Sequence, residues 1–260
     1  MKPNALPLTP ARILRSLRRR LHDHLQPLNQ FRGVYGSFAD ALQAAPRTKA
    51  VGYDAANSSD WYLDKHNEVR LEDYPVLFWL RTAFEDSRSL FEIGGHVGVA
   101  YYGFAQVLTY PRDLTWTICD VPTVAAAGEA LARERGRSNI RFVTSPAQVE
   151  GADIVLAAGA LQYVETPSLA GTLAAFRARP KHVLVNTTPV YDGPSFITLQ
   201  NIGPVYCPYR AFNRQEFVDS LQSLGYSLVS SWQKERVFRV PGHPERSFDH
   251  YTGFYFRSGE

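Results

Sequence analysis

From residue 88 onward, short apolar runs rich in β-branched and aromatic residues alternate with helical stretches, and this rhythm constrains the fold more than any other feature. "SLFEI" precedes "VAYYGFAQVL", and "LTWTICD" precedes "PTVAAAGEALARERG". "IRFVT" and "ADIVLAA" come next, and "SLAGTLAAFRA" leads into "KHVLVNT". Strands without polar alternation need cover on both faces, which the crossover helices of a parallel sheet supply. The tail then changes character. "RQEFVDSLQSLG" predicts a helix ended by Gly225, and "YSLVSSWQ" and "YTGFYFR" predict two strands joined by "VPGHPERSFD". An antiparallel pair at one edge of a parallel sheet fits them.

The 260 residues suffice for one α/β domain, expected over 88–260, with an N-terminal addition. With 45% hydrophobic and 20% charged residues, the chain falls in the globular class. Residues 36–87 read as mostly helical, with Ser37 at an N-cap and Pro75 in the first turn of "DYPVLFWLRTAF". They are expected to cap the sheet. Residues 1–35 read as a loose arm followed by an amphipathic helix over 11–28. Leu14, Leu17, Leu21, Leu25 and Leu28 form one stripe on it, and arginines fill the other face. Such a helix either makes a peripheral contact with an anionic membrane or a partner, or packs on its own domain, the commoner use. No apolar stretch reaches the length that spans a bilayer, and the N-terminus lacks a signal-peptide pattern, so a cytoplasmic protein is expected. A net charge of +3 gives no argument for nucleic acid as a partner. Cys119 and Cys207 are far apart, and the histidines have no metal-ligand spacing, so neither a disulfide nor a metal is expected.

Open parallel sheets bind ligands at the carboxyl ends of their strands, near the switch in strand order. Two strand ends stand out. The first is Glu92-Ile93-Gly94-Gly95-His96-Val97-Gly98, where Gly94 and Gly95 permit a sharp turn and Gly98 a closely packed helix. The second is Asp120, whose carboxylate can accept hydrogen bonds from both hydroxyls of a ribose. A dinucleotide site needs G-x-G-x-x-G to seat a pyrophosphate, whereas the order here is G-G-x-x-G. Glu92 would repel a phosphate but suits a cofactor carrying an ammonium and a sulfonium, namely S-adenosylmethionine.

These residues resemble the first motif of the class I S-adenosylmethionine-dependent methyltransferases, acidic-x-Gly-x-Gly-x-Gly. More closely, the chain resembles a bacterial family labelled only as methyltransferases. The resemblance runs through "SFADAL", "GYD", "FEIGGHVGVAYYGF", "LTWTICD", "VLAAGALQYVETP", "VLVNTTPV", "TLQNIGPVYCPYRAF" and "LGYSLVSSW", in order over nearly the whole chain after residue 36. It implies a Rossmann-like α/β sheet and S-adenosylmethionine as cofactor. It places Glu92, Gly94, Gly95 and Gly98 at the methionine end, Asp120 at the ribose and Val121 beside the adenine. Ser145 would meet the adenine amine, and the Gly159 backbone would border the cofactor. His96 stands where the superfamily motif has its central glycine. Either the turn tolerates His96, whose side chain then caps the following helix, or this residue is a general base. Tyr163, after a strand end, is the other candidate for the catalytic proton, and its neighbour Gln162 can orient a substrate hydroxyl. Tyr101 and Tyr102 read as core or as aromatic faces for the methyl group. Trp61 and His66 are candidates to close the site, and "PVYCPYRAF" reads equally as a substrate-side loop or a rigid connection.

The expected reaction is methylation of a small-molecule or saccharide acceptor, with oxygen favoured. The competing readings are a methyltransferase fold that only binds, and a nicotinamide-dependent oxidoreductase. Nothing in the sequence fixes the oligomeric state.

Overall fold

The computed structural model describes residues 30–54 and 68–259. The expected helix over 11–28, Trp61 and His66 lie outside them. The described chain opens with a strand, β1 (Gln30–Tyr35), where the arm-and-helix unit was expected to end. Helix α1 (Phe38–Gln43) follows, its N-cap made as expected by Ser37, whose Oγ accepts from the Asp40 N–H at 3.0 Å. A short strand, β2 (Ala50–Val51), comes next. After a 3₁₀ turn at Leu71–Asp73, α2 (Tyr74–Ala83) carries Pro75 in its first turn. The stretch expected to be mostly helical therefore holds two short helices and a strand among its described residues.

The predicted α/β alternation then appears. It runs β3 (Ser89–Ile93), α3 (Val99–Phe104), β4 (Thr115–Cys119), α4 (Pro122–Glu134) and β5 (Ile140–Val143). It continues with β6 (Ile154–Ala158), α5 (Leu169–Ala175) and β7 (His182–Thr188). Three strands not expected from the sequence follow: β8 (Val190–Tyr191), β9 (Phe196–Asn201) and β10 (Val205–Asn213). Helix α6 (Arg214–Gln222) then leads to the long hairpin of β11 (Tyr226–Phe238) and β12 (Phe248–Ser258).

The main sheet has the order β11-β12-β7-β6-β3-β4-β5. Strands β3 to β7 pair in parallel, and β12 joins β7 antiparallel and carries β11 at the edge. This is the expected Rossmann-like sheet with its antiparallel edge pair. Strand order reverses at β3, which lies between β4 and β6, so the switch point falls at the end of β3. Side chains alternate between two cores. Leu90, Trp116, Ile118 and Leu156 pack under α2, α3 and α4. Phe91, Val155, Val183 and Val185 pack under α5 and α6. Tyr101 and Tyr102 belong to the first core. Helix α2 also packs there, through Val76, Leu77 and Leu80.

A second sheet, ordered β1-β9-β10-β2 with β8 beside β10, uses the residues read as a loop or connection. "PVYCPYRAF" is mostly strand β10. Its sequence hides this because both faces are covered, so no polar alternation appears. Pro208 is tolerated because β2 meets β10 at residues 205–206 and β8 meets it at 212–213. The proline falls between them, where its missing N–H breaks no ladder bond on that edge. One face packs on α1 through Ile197. The other carries Phe31, Phe196 and Tyr209 onto Phe238, Phe248 and Tyr251 of the β11–β12 hairpin, with Tyr163 half-buried beside them.

Candidate functional site

The chain leaves β3 through a turn with positive φ at Gly94 (67°), His96 (54°) and Gly98 (98°). Two of these are glycines, which enter the left-handed region freely; His96 does so under strain. The His96 N–H donates to Asp120 Oδ2 at 2.8 Å, which holds it there. Gly94 N–H donates to the Cys119 carbonyl at 2.8 Å, so the end of β4 pins both sides of the turn. The space above the two adjacent glycines belongs to the protein itself. A Cβ on Gly94 would lie 2.3 Å from Ala160 Cβ, and one on Gly95 would lie 2.5 Å from the Glu92 carboxyl carbon.

Glu92 does not stand at an open mouth. It is 2% exposed, and Trp116 Nε1 donates to its Oε2 at 2.8 Å. Burial pushes its carboxyl up to about 8; the Trp116 bond opposes this, and Asp120 and Asp73 add to it. At neutral pH this carboxyl is mostly protonated. Ionising it calls for a cation.

Asp120 ends the next strand. Its Oδ1 accepts from the Val121 N–H at 2.8 Å, while Oδ2 holds His96. Burial raises its pKa, and these two N–H bonds pull it back. Val121 is the N-cap of α4, and its carbonyl accepts from the Ala125 N–H at 2.9 Å. Asp54 joins from the segment ahead of the sheet: its Oδ1 accepts from the Thr123 N–H at 3.2 Å in the first turn of α4. Ser145, after β5, has a local task. Its Oγ accepts from the Ala147 N–H at 3.3 Å and caps a 3₁₀ turn at Pro146–Gln148.

At the end of β6, Gly159 turns with φ 74°, and its N–H donates to the Asn186 carbonyl of β7 at 2.8 Å. A 3₁₀ turn at Leu161–Tyr163 then brings Gln162 and Tyr163 under the second sheet. The Tyr163 hydroxyl donates to Gln200 Oε1 of β9 at 2.7 Å. Its ring meets those of Tyr53 and Tyr209, with centroids 5.6 and 5.2 Å away. The Tyr209 hydroxyl lies 2.7 Å from that of Tyr251. A tyrosine-lined layer therefore faces the ends of the parallel strands.

Sequence reading missed the group that ties these ends together. Asn186 Nδ2 donates to the Glu72 carbonyl at 3.1 Å and to Asp73 Oδ1 at 3.2 Å. Its Oδ1 accepts from Trp232 Nε1 and from the Thr187 N–H, both at 3.0 Å. Lys234 pairs with the Glu72 carboxylate. Burial raises the pKa of Asp73, a second carboxyl near Glu92. No spacing signals this cluster, because its members come from the 3₁₀ turn ahead of α2, from β7 and from β11. Trp116 had a weak signal: it sits two residues before Ile118, which is in register with Glu92 on the neighbouring strand.

The structure thus brings Glu92, Gly94, Gly95, His96, Gly98, Asp120 and Val121 to one end of the sheet. Gly159 and Tyr163 stand across the switch point, and Ser145 stands one strand further out.

No protein-family model matches the chain, and no curated protein matches it by sequence. Solved structures do share its fold. One is the 1,6-didemethyltoxoflavin-N1-methyltransferase of Burkholderia thailandensis, with 1,6-didemethyltoxoflavin and S-adenosylhomocysteine bound. It is 17% identical with a TM-score of 0.51, over 99% of this chain and 94% of that one. Another is the magnesium protoporphyrin IX methyltransferase of Synechocystis with bound S-adenosylhomocysteine, 12% identical with a TM-score of 0.52, over 80% of this chain and 96% of that one. A third, an S-adenosylmethionine-dependent methyltransferase of Methanosarcina mazei, is 12% identical with a TM-score of 0.52, over 72% of this chain and 99% of that one. At these identities the likeness is one of fold: the chain shares the Rossmann-like α/β fold of these methyltransferases.

Proposed function

We propose that the protein is an S-adenosylmethionine-dependent methyltransferase acting on a small-molecule or saccharide acceptor, with oxygen the favoured target. The carrying observation is the pair of buried carboxyls, Glu92 and Asp120, on successive strand ends around one left-handed turn. Among the described residues Glu92 has no cationic hydrogen-bond partner, and a cofactor ammonium would supply one. A pyrophosphate would instead meet two carboxyls in a low dielectric, which disfavours the nicotinamide reading. The solved structures of this fold that hold S-adenosylhomocysteine support the same cofactor.

In this reading Glu92 and the turn through Gly94, Gly95 and Gly98 hold the methionine end, Asp120 the ribose, and Val121 the adenine. Ser145 offers its hydroxyl near the adenine amine, and the Gly159 backbone borders the cofactor. The bound cofactor supplies an activated methyl on a sulfonium, so the protein mainly aligns the acceptor and excludes water. Tyr163 and the second sheet do the latter. A hydroxyl acceptor must also lose a proton. His96, 5% exposed beside Asp120, is the candidate base, with Tyr163 as the alternative. Residues 36–87 together with β8–β10 form the cover in this reading, and 88–260 supply the cofactor-binding unit.

Calorimetry with S-adenosylmethionine against NAD tests the cofactor, and formation of S-adenosylhomocysteine tests catalysis. His96→Ala should cut turnover by roughly 10²–10⁴-fold while cofactor affinity is nearly kept. Binding of NAD alone would overturn the proposal, and unchanged turnover in His96→Ala would reject that residue as base.

A further inference from the structure

Gln162 is 3% exposed, and its Nε2 donates to the Gly159 carbonyl at 2.7 Å. A carbonyl oxygen can only accept, so this contact fixes which end of the amide is nitrogen. Oε1 therefore points the other way, where it is buried with no hydrogen-bond partner among the described residues. A buried amide oxygen without a donor is unusual, because the water it gave up has not been replaced.

A second irregularity lies at the same strand end. Thr187 has φ 52°, a left-handed conformation that a β-branched residue rarely takes. Asn186 Oδ1 holds it there by accepting the Thr187 N–H. A Cβ on Gly159 would lie 3.9 Å from Thr187 Cβ, so the two strand ends are neighbours. Such strain clusters at ligand sites. The hydroxyl of the next residue, Tyr163, donates its hydrogen bond to Gln200 Oε1. That hydrogen bond is committed within the protein rather than offered to a ligand.

We infer that Gln162 Oε1 is the hydrogen-bond acceptor for the group to be methylated, and that it selects a neutral hydroxyl or N–H donor over a carboxylate. The inference rests on the methyltransferase reading and narrows its substrate class. A donor satisfies the buried oxygen and is held in one orientation beside Gly159. A carboxylate would set its lone pairs against that of Oε1 in a dry site and would lose its hydration without return. A site built around a hydrogen-bonding group discriminates strongly against ligands that leave it unpaired.

The test uses the whole protein. S-adenosylhomocysteine is titrated first; failure to bind would sink the methyltransferase reading and not this one. With that ligand saturating, phenol and benzoate, which share a ring and differ in headgroup, are titrated by ligand-observed NMR. Phenol should bind at least about tenfold more tightly. Gln162→Leu should abolish the preference while S-adenosylhomocysteine affinity stays within about twofold. Gln162→Glu, protonated in this site, should restore it, because a carboxylic acid can donate to Gly159 and still present a carbonyl oxygen. Should Gln162→Leu fail to fold, a crystal of the wild-type complex soaked in phenol decides, since the phenol oxygen must lie within hydrogen-bonding distance of Gln162 Oε1. Benzoate binding as well as phenol, a preference that survives Gln162→Leu, or neither ring entering would overturn the inference.

Discussion

The ends of β3 and β6 face each other across the switch point and are built on opposite plans. The β3 end closes on itself. Glu92 is bonded to Trp116, His96 to Asp120 and Gly94 to Cys119, and the chain's own atoms fill the space over both adjacent glycines. The β6 end stays incomplete. It carries a buried acceptor without a donor among the described residues, its neighbour β7 ends in a strained threonine, and its roof comes from strands far away in sequence. A closed, preorganised end suits a ligand that is the same in every turnover. An end finished from outside suits the partner that varies.

The sharpest way to probe the closed end is pH. Glu92 titrates near 8 because of burial, against about 4.5 for a free glutamic acid. The folded protein therefore binds a proton that the unfolded chain releases, and ligand-free stability should fall as pH rises from about 4.5 to about 8. The loss should reach a few kcal/mol, at about 1.4 kcal/mol per pH unit. A ligand ammonium favours the ionised carboxylate, so S-adenosylmethionine affinity should rise with pH by up to about tenfold per unit over the same window. Glu92→Gln should flatten both profiles. Chemical denaturation and calorimetry at pH 6, 7 and 8 measure them, and parallel profiles for wild type and variant would show that Glu92 is not the linked group.

Asp120 extends the comparison to β4. Asp120→Ala removes the acceptor for two N–H groups as well as the proposed ribose contacts. S-adenosylhomocysteine affinity should drop roughly tenfold to hundredfold, with a loss of stability of about 1–3 kcal/mol. Unchanged affinity would break the assignment of this end to the cofactor.

The same contrast explains what the sequence could reveal. The β3 end is made by seven consecutive residues and the next strand, so glycine spacing and a carboxylate at each strand end exposed it. The parallel sheet was legible for the same reason: each βα unit carries its own apolar period. The roof was not. β9 and β10 are buried on both faces, and the proline inside β10 fits a strand only because β2 and β8 pair on either side of it. Asn186, Asp73 and Trp232 meet only through tertiary contacts, as do Tyr163 and Gln200. Even at the legible end the glycines had a second reason. Gly95 makes room for Glu92, a contact that spacing cannot show.

Gly95→Ala tests that second reason. The new methyl would press on a buried carboxyl that Trp116 holds in place, so overpacking should cost about 1–3 kcal/mol. If the glycine mattered only for approach of a ligand, thermal stability would stay constant and S-adenosylhomocysteine affinity alone would fall.

The smallest effect expected, and the one that isolates backbone from side chain, is at His96. Its N–H bond to Asp120 survives any substitution but proline, so His96→Ala and His96→Gly both keep the clasp between β3 and β4. Both lose the imidazole equally. They differ in φ: alanine keeps the left-handed strain, worth about 1–2 kcal/mol, whereas glycine relieves it and gives back about 0.5–1 kcal/mol in unfolded-chain entropy. His96→Gly should therefore be the more stable of the two by up to about 1 kcal/mol, a difference that paired denaturant titrations resolve. If His96→Ala proves the more stable variant, the residue does not hold its positive φ against a preference. The turn would then be relaxed, and the β3 end would owe its closure to the Glu92 and Asp120 contacts alone.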